Sequence, residues 1–273
     1  MFFNVHIKEM EAAIRRYESL SDGIGMVCIG DLEILVPDHP FWKKFARGWE
    51  PDTERIYRNL VKPGSVVLDV GAWIGPTLVF ALLAGVSRII ALEPNPDSYL
   101  RLKRIIELNP KIADRVTTIN CALHSTSGKL KMGVVEGELD TSTFGILGNN
   151  VEVDTISLDK LMQEYQLDDI DFIKIDIEGA EVLLPDELER LSRRPGRLVH
   201  LSVHVPFFPE TADKQRFAKS LSGFTIYDDR GEKLTAKSLR NRLLSSESHP
   251  AWGTQHGNFF ELLLIAKQKK VSG

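Results

Sequence analysis

The chain has 273 residues, and its 34 lysines and arginines against 38 aspartates and glutamates leave a formal net charge of −4, without the basic surplus of a dedicated nucleic-acid binder. With 43% hydrophobic and 26% charged residues the composition is that of a globular protein and excludes a disordered or low-complexity chain. The two cysteines, Cys28 and Cys121, exclude a disulfide framework and suit a cytoplasmic setting, and neither a signal peptide at Met1–His6 nor a run long enough for a membrane span is seen.

Residues 8–20 place Met10, Ile14, Tyr17 and Leu20 at helical spacing and predict an amphipathic helix. Residues 24–36 predict two short strands turning at Gly30-Asp31. Residues 37–50 are aromatic (Phe41, Trp42, Phe45, Trp49) and read as irregular. Residues 52–61 predict a helix with Ile56, Leu60 and Val61 on one face, stopped by Lys62-Pro63-Gly64. Short apolar runs then follow at Val66–Val70, Ile89–Leu92, Val116–Leu123, Phe172–Ile177 and Leu198–Val205, with helix-like segments between them at 77–84, 96–108, 157–165 and 180–191. Runs at Phe224–Tyr227 and Phe259–Ala266, separated by a loop and a helix at 235–246, complete the set. Strands apolar on both faces and alternating with helices predict a doubly wound, mostly parallel, seven-stranded, Rossmann-like α/β sheet. The expected organisation is an N-terminal cap over 1–50, one domain over 51–268 and a tail over 269–273.

Ligands of such sheets bind beyond the carboxyl ends of the strands. After the first strand of the sheet comes Asp69-Val70-Gly71-Ala72-Trp73-Ile74-Gly75-Pro76. Gly71 and Gly75 allow a tight turn with close backbone approach, and Pro76 suits the first turn of a helix. A nicotinamide fingerprint requires glycines where Trp73 and Pro76 stand, so that reading fails. The second strand ends in Glu93, whose carboxylate can accept both hydroxyls of a ribose. A nucleoside site without phosphate-binding residues points to S-adenosylmethionine.

The ordered set Trp49-Glu50-Pro51, Lys62-Pro63-Gly64, Val67-Leu68-Asp69-Val70-Gly71-Ala72, Ala91-Leu92-Glu93-Pro94-Asn95, Asn120-Cys121-Ala122-Leu123 and Asp171-Phe172-Ile173-Lys174-Ile175-Asp176-Ile177-Glu178-Gly179-Ala180-Glu181 resembles the FkbM family of S-adenosylmethionine-dependent methyltransferases over about residues 48–195. The departure is Trp73, where a small or polar residue is more usual. The resemblance implies a class I methyltransferase fold. It implies that Asp69, Gly71, Ala72 and Gly75, with Trp73 beside them, line the methionine part of the cofactor. Glu93 would hold the ribose with Pro94 and Asn95 next to it. Cys121 and Ala122 would frame the adenine, and Asp176 and Glu178 would face the reacting end. Glu50 either reaches the cofactor's amino group or caps its helix.

By period two, Lys174, Asp176 and Glu178 share one face of the fourth strand, and His200, Ser202 and His204 one face of the fifth. Asp176, Glu178 and His204 are therefore expected to converge. Three readings stay open for them: His204 as general base, the three as ligands of a divalent metal, or a hydrogen-bonded histidine without chemistry. His200, mid-strand, reads as structural, and Lys174 as a buried charge paired with a carboxylate. The segment Gly231–Gly257 carries His249, Trp252 and His256, candidate substrate-binding residues on a lid. The function expected is O-methylation of a hydroxyl on a sugar, glycan or polyketide-type small molecule, with N-methylation of a small amine or a non-catalytic binding protein as alternatives. Neither nucleic acid nor membrane is an expected partner. An exposed edge of the N-terminal hairpin supports a homodimer.

Overall fold

A computed structural model describes residues 7–8, 13–134, 149–194, 196–208, 210–244 and 259–267. The chain opens with an antiparallel meander, β1 (Arg15–Ser19), β2 (Ile24–Ile29) and β3 (Leu32–Pro37). The helix expected over 8–20 is therefore replaced, over Arg15–Ser19, by a strand; Met10 lies outside the described residues. The helical spacing there covers no core, since Ile14 and Leu20 are 80% and 42% exposed. Pairing with the open edge of β2 outweighs the spacing. The residue that β1 buries is Arg15. Its guanidinium donates to the carbonyls of Phe45 (3.1 Å) and Trp49 (2.7 Å), pairs with Glu54, and lies 4.8 Å from the ring of Phe45 and 5.0 Å from that of Phe80.

The aromatic segment expected to be irregular contains α1 (Pro40–Ala46). Its start is set locally: His39 accepts the N–H of Phe41 at 3.2 Å and Pro40 occupies the first turn. Phe41, Trp42 and Phe45 are all buried. Next come α2 (Pro51–Leu60), β4 (Val66–Val70), α3 (Pro76–Leu83), β5 (Arg88–Leu92), α4 (Pro96–Leu108) and β6 (Val116–Ile119). The third apolar run is shorter than expected as one strand. After β6 the chain leaves the main sheet, and β7 (Ala122–Leu123) pairs with β9 (Asn149–Ile156), which pairs with β8 (Gly128–Val134). This small sheet is not among the expected elements. It carries a legible signal, the alternation Leu130, Met132 against Lys129, Lys131 and Val151, Val153 against Glu152, Asp154.

The remaining elements are α5 (Leu158–Tyr165), β10 (Phe172–Ile175), α6 (Pro185–Ser192), β11 (Leu198–His204), α7 (Thr211–Ser220), β12 (Phe224–Asp228), α8 (Ala236–Leu244) and β13 (Phe259–Ala266). The helix expected over 180–191 is split into a 3-10 turn at Ala180–Leu183 and α6, because Pro185 begins a new helix. The helix α7 lies outside the expected set.

The main sheet has the order β12-β13-β11-β10-β4-β5-β6. Six of its seven strands run in one direction, and β13 alone is antiparallel, to both β11 and β12. Cores fill both faces. On one, the meander, α1, α2, α3 and α4 pack Phe45, Ile56, Tyr57, Phe80 and Leu102 against Val67, Ala91 and Phe172. On the other, α5 to α8 pack Leu161, Leu188, Phe217 and Leu239 against Leu68, Ile175 and Leu201. The buried cysteines Cys28 and Cys121 are both free. Among the described residues no helix is long and apolar enough to cross a membrane.

Connections leave β4 toward β5 in one direction and β10 toward β11 in the other, so strand order reverses between β4 and β10. That is where a crevice opens at the carboxyl edge of a doubly wound sheet. The register aligns Asp69 with Lys174 and Lys174 with His200, a polar row across three strands on the face that the meander and α2 cover.

Candidate active site

The loop after β4 is built on two left-handed glycines, Gly71 (φ +80°) and Gly75 (φ +97°). A Cβ on Gly71 would lie 1.8 Å from the carbonyl oxygen of Asp176, so the loop passes against the end of β10 only without a side chain. The N–H groups of Gly71 and Ala72 both donate to the carbonyl of Leu92, at 3.0 and 2.9 Å, which ties the loop to the end of β5. Trp73 is also left-handed (φ +49°). Its ring turns to the N-terminal cap, edge-on to Phe41 at 4.4 Å, while its N–H donates to Glu93 at 2.8 Å. Trp73 thus joins the N-terminal segment to the loop after β4 and to Glu93.

Glu93 is buried, and its second oxygen accepts the N–H of Asn95 at 2.8 Å. Asn120, beyond β6, donates to the carbonyls of Glu93 (2.8 Å) and Pro94 (3.1 Å). The Asn95 side chain caps α4, accepting from Asp97 at 2.9 Å and Ser98 at 3.3 Å. Cys121 is buried, which pushes its thiol up to about 12, and Ala122 follows it at the start of β7.

Burial pushes the Glu93 carboxyl up to about 7, against the opposing pull of the Asn95 and Trp73 N–H groups. A ribose diol in the role expected for Glu93 would be accepted by the ionised form, so protonation would oppose binding. S-adenosylhomocysteine affinity is expected to rise as pH passes upward through 7, and Glu93→Ala to lower it about 10- to 100-fold and abolish that rise, as read by calorimetry. Stability runs the other way. The folded free protein holds this proton more tightly than the unfolded chain between 4.5 and about 7, so its contribution is present below that window and lost as pH rises through it.

The polar row lies behind the loop. Asp69 is buried; one oxygen accepts from Thr77 at 2.6 Å and the other has no hydrogen-bond partner. Lys174 donates to the Gly71 carbonyl at 2.8 Å and sits 3.5 Å from Asp69 and 3.5 Å from Asp176. Burial alone would lower its pKa; the carboxylates of Asp176, Asp69, Glu50 and Glu261 outweigh that and raise it. Burial works against the Asp176 carboxylate, yet Lys174, His204 and His200 hold it below its ordinary range. At the start of α2, Glu50 is left-handed (φ +43°) and accepts from Thr53 at 2.9 Å. Burial, with Asp176 and Glu261 nearby, pushes Glu50 up to about 8.

At the end of β11, His204 Nε2 faces Asp176 at 3.7 Å and Glu178 at 3.5 Å, and Nδ1 meets Glu181 at 2.9 Å. The structure thus brings together the three side chains expected to converge, with ligand atoms within 4.8 Å of one another. Burial would lower the His204 pKa, but Glu178, Glu181 and Asp176 raise it well above its ordinary value. Glu178 is pushed up by burial. His200 is buried with Nε2 2.7 Å from Glu261, which also accepts from Ser202 at 3.0 Å, as suits a structural histidine. His249, Trp252 and His256 lie outside the described residues. The segment that carries them leaves from β12 and returns at Phe259, which pairs with His204.

Two acidic groups of this site are missing from the sequence-based set. Glu181 ends the longest motif quoted above, and Glu261 is the one charge inside the apolar run Phe259–Ala266, a legible mark of an inward polar position.

Residues 69–192 match the family described as the methyltransferase FkbM domain. A hexuronic acid methyltransferase of Haloferax volcanii, AglP, is 26% identical over 137 residues, 49% of this chain and 54% of that protein. A tRNA (guanine(37)-N(1))-methyltransferase of Saccharomyces cerevisiae is 44% identical over 69 residues, 24% of this chain and 13% of that protein. The chain therefore spans about half of one relative and a small part of the other. Among solved structures, a methyltransferase FkbM of Methylobacillus flagellatus is similar with a TM-score of 0.44 and 17% identity, over 74% of this chain and 44% of that one.

Proposed function

We propose that this chain, which carries a methyltransferase FkbM domain over residues 69–192, transfers a methyl group from S-adenosylmethionine to a hydroxyl of a sugar or polyketide-type small molecule. One observation carries the acceptor half of this reading. The Nε2 of His204, Asp176 and Glu178 converge at the carboxyl edge that also holds the Gly71 loop and Glu93. When bound, the cofactor supplies an electrophilic methyl on a sulfonium, and the protein's task is alignment and proton removal.

The residues present fit that cofactor. The Glu93 carboxylate, fixed by two backbone N–H groups, keeps lone pairs for a ribose diol. The buried oxygens of Asp69 and Asp176 without hydrogen-bond partners suit a cationic ligand. Lys174 keeps Asp176 ionised beside the reacting end. Cys121 and Ala122 frame the adenine. Glu178, Glu181 and Asp176 favour the charged ring, so His204 acts as a base at a pH high enough to leave it neutral, where Nε2 takes the hydroxyl proton as the oxygen gains its methyl group. The sugar acceptor is in keeping with the relative from Haloferax volcanii, whose name assigns it a hexuronic acid.

A second reading follows from the acid-rich surroundings of His204: an amine bound beside Asp176 and Glu178, which needs no strong base at a pH where the amine is already neutral. A third uses the same three side chains as ligands of a divalent cation. The test is release of S-adenosylhomocysteine from purified protein with hexoses, hexuronic acids, polyketide alcohols and small amines, with and without EDTA. Turnover of a hydroxyl acceptor that resists EDTA and falls about 10²- to 10⁴-fold in His204→Ala is the expected result. Turnover confined to amines and indifferent to His204→Ala overturns it. Loss in EDTA restored by Mg²⁺ moves the three side chains to metal binding.

A further inference from the structure

His204 is held from one side. Its Nδ1 lies 2.9 Å from Glu181, whose side chain is fully buried. A carboxylate accepts, so Nδ1 must be the donor. The carboxylate is itself fixed, accepting from the N–H of Ile177 at 3.3 Å and of Gly179 at 3.1 Å. Those N–H groups point inward because Glu178 (φ +50°) and Gly179 (φ +99°) are both left-handed and curl the chain back onto Glu181. No side chain fits at Gly179, where a Cβ would meet Phe207 at 2.4 Å. The imidazole plane is set as well, stacked on Phe259 at 5.6 Å and 9°.

We propose that Glu181 is a positioning residue that sets the tautomer and plane of His204, so that the lone pair of the neutral ring sits on Nε2 and faces the acceptor. This rests on the reading of His204 as the general base. The Nε2 distances to Asp176 (3.7 Å) and Glu178 (3.5 Å) are too long for hydrogen bonds and leave that nitrogen free to receive a proton. The balance is complete without a further reagent. The acceptor oxygen bonds carbon and gives its proton to Nε2, and the electron pair of the broken carbon–sulfur bond stays on sulfur. Nδ1–H remains donated to Glu181, which offsets the new charge on the ring, and the proton leaves to solvent. The same division of labour operates in serine hydrolase triads, where the acid orients the histidine and is not itself protonated.

The test is ¹⁵N NMR of protein labelled in its histidine rings, with His204 assigned by His204→Ala, together with kinetics on a hydroxyl acceptor. The wild-type neutral ring should carry its proton on Nδ1, and Glu181→Ala should shift the population toward Nε2–H. The alanine variant should lose about 100-fold in kcat, with the S-adenosylhomocysteine dissociation constant within twofold of wild type. Glu181→Gln keeps the volume should the alanine variant not fold, and should lose at least about tenfold because an amide is the weaker acceptor. A wild-type ring protonated on Nε2 overturns the proposal. So do Glu181 variants of undiminished kcat beside a disabled His204→Ala, a result that leaves the general base standing. Full turnover in His204→Ala removes the base and this proposal with it.

Discussion

Replacing Lys174 with methionine is expected to destabilise the cofactor-free protein by about 3–5 kcal/mol, the usual cost of removing one partner from a buried charge cluster. Lys174 is the only cation within ion-pairing distance of Asp69 among the described residues, and it sits 3.5 Å from both Asp69 and Asp176. The three lie side by side because β4 and β10 are hydrogen-bonded with Lys174 opposite Asp69, and Asp176 stands two residues further along the same face. The lysine side chain is only 5% exposed and that of Asp69 only 1%, so water cannot replace the ammonium. Methionine matches the stem but leaves two carboxylates and the Gly71 carbonyl without their donor. Urea denaturation at pH 7 measures the loss, and an unchanged slope against denaturant confirms that the folded state is intact. Adding Asp69→Asn to the methionine variant should recover part of the stability by removing one stranded charge. A loss below about 1 kcal/mol would mean that Lys174 does not neutralise the cluster.

Gly71→Ala is expected to weaken S-adenosylhomocysteine binding by about 100-fold or more, close to 3 kcal/mol. Two independent penalties meet at this residue. Its φ of +80° costs an L-residue about 1–2 kcal/mol. Its Cβ would stand 1.8 Å from the Asp176 carbonyl oxygen, and backbone on both sides leaves no side chain free to move aside. The loop must therefore lift from the end of β10, and the hydrogen bonds of Gly71 and Ala72 to Leu92 lift with it. Gly64→Ala is the control. That residue has nearly the same φ, +85°, with open space where a Cβ would go. It should cost about 1 kcal/mol in stability and leave binding unchanged. Equal effects on binding from the two substitutions would show that backbone strain alone, and not the contact with β10, is responsible. Calorimetric titration of both variants decides it.

Residues that act through local rules were legible in the chain itself. Val66–Val70 and Phe172–Ile175 announce buried parallel strands because both of their faces are apolar, and a glycine or acidic residue at the end of such a strand falls at the ligand edge of the sheet. Asp69, Gly71, Glu93 and Asp176 were placed on that ground, and the period-two face of Lys174 and His200 is realised in the strand register. The reading failed where a distant partner overrides local preference. Arg15–Ser19 has helical spacing but becomes a strand because β2 offers it an unpaired edge. The aromatics Phe41, Trp42 and Phe45 share the buried side of Pro40–Ala46 while Lys43 and Lys44 are exposed, and a helix of seven residues is too short to repeat that pattern.

What the sequence by itself determined is the alternation of strand and helix, the loop glycines and the acidic residues Asp69, Glu93 and Asp176 near the ends of β4, β5 and β10. Each depends on backbone geometry within a few residues. The convergence of Asp176, Glu178 and His204 was also expected from period two, but only the tertiary structure decided that Asp69 meets Lys174 and that Glu181 meets His204. Strand order places β10 between β4 and β11, bringing Asp69 beside Lys174 and His204 beside Asp176, and a left-handed turn at Glu178 and Gly179 carries Glu181 to the far side of the histidine. The distance between Asp69 and Lys174, which lie on different strands far apart in the chain, follows from how the sheet is assembled, and no local pattern encodes it.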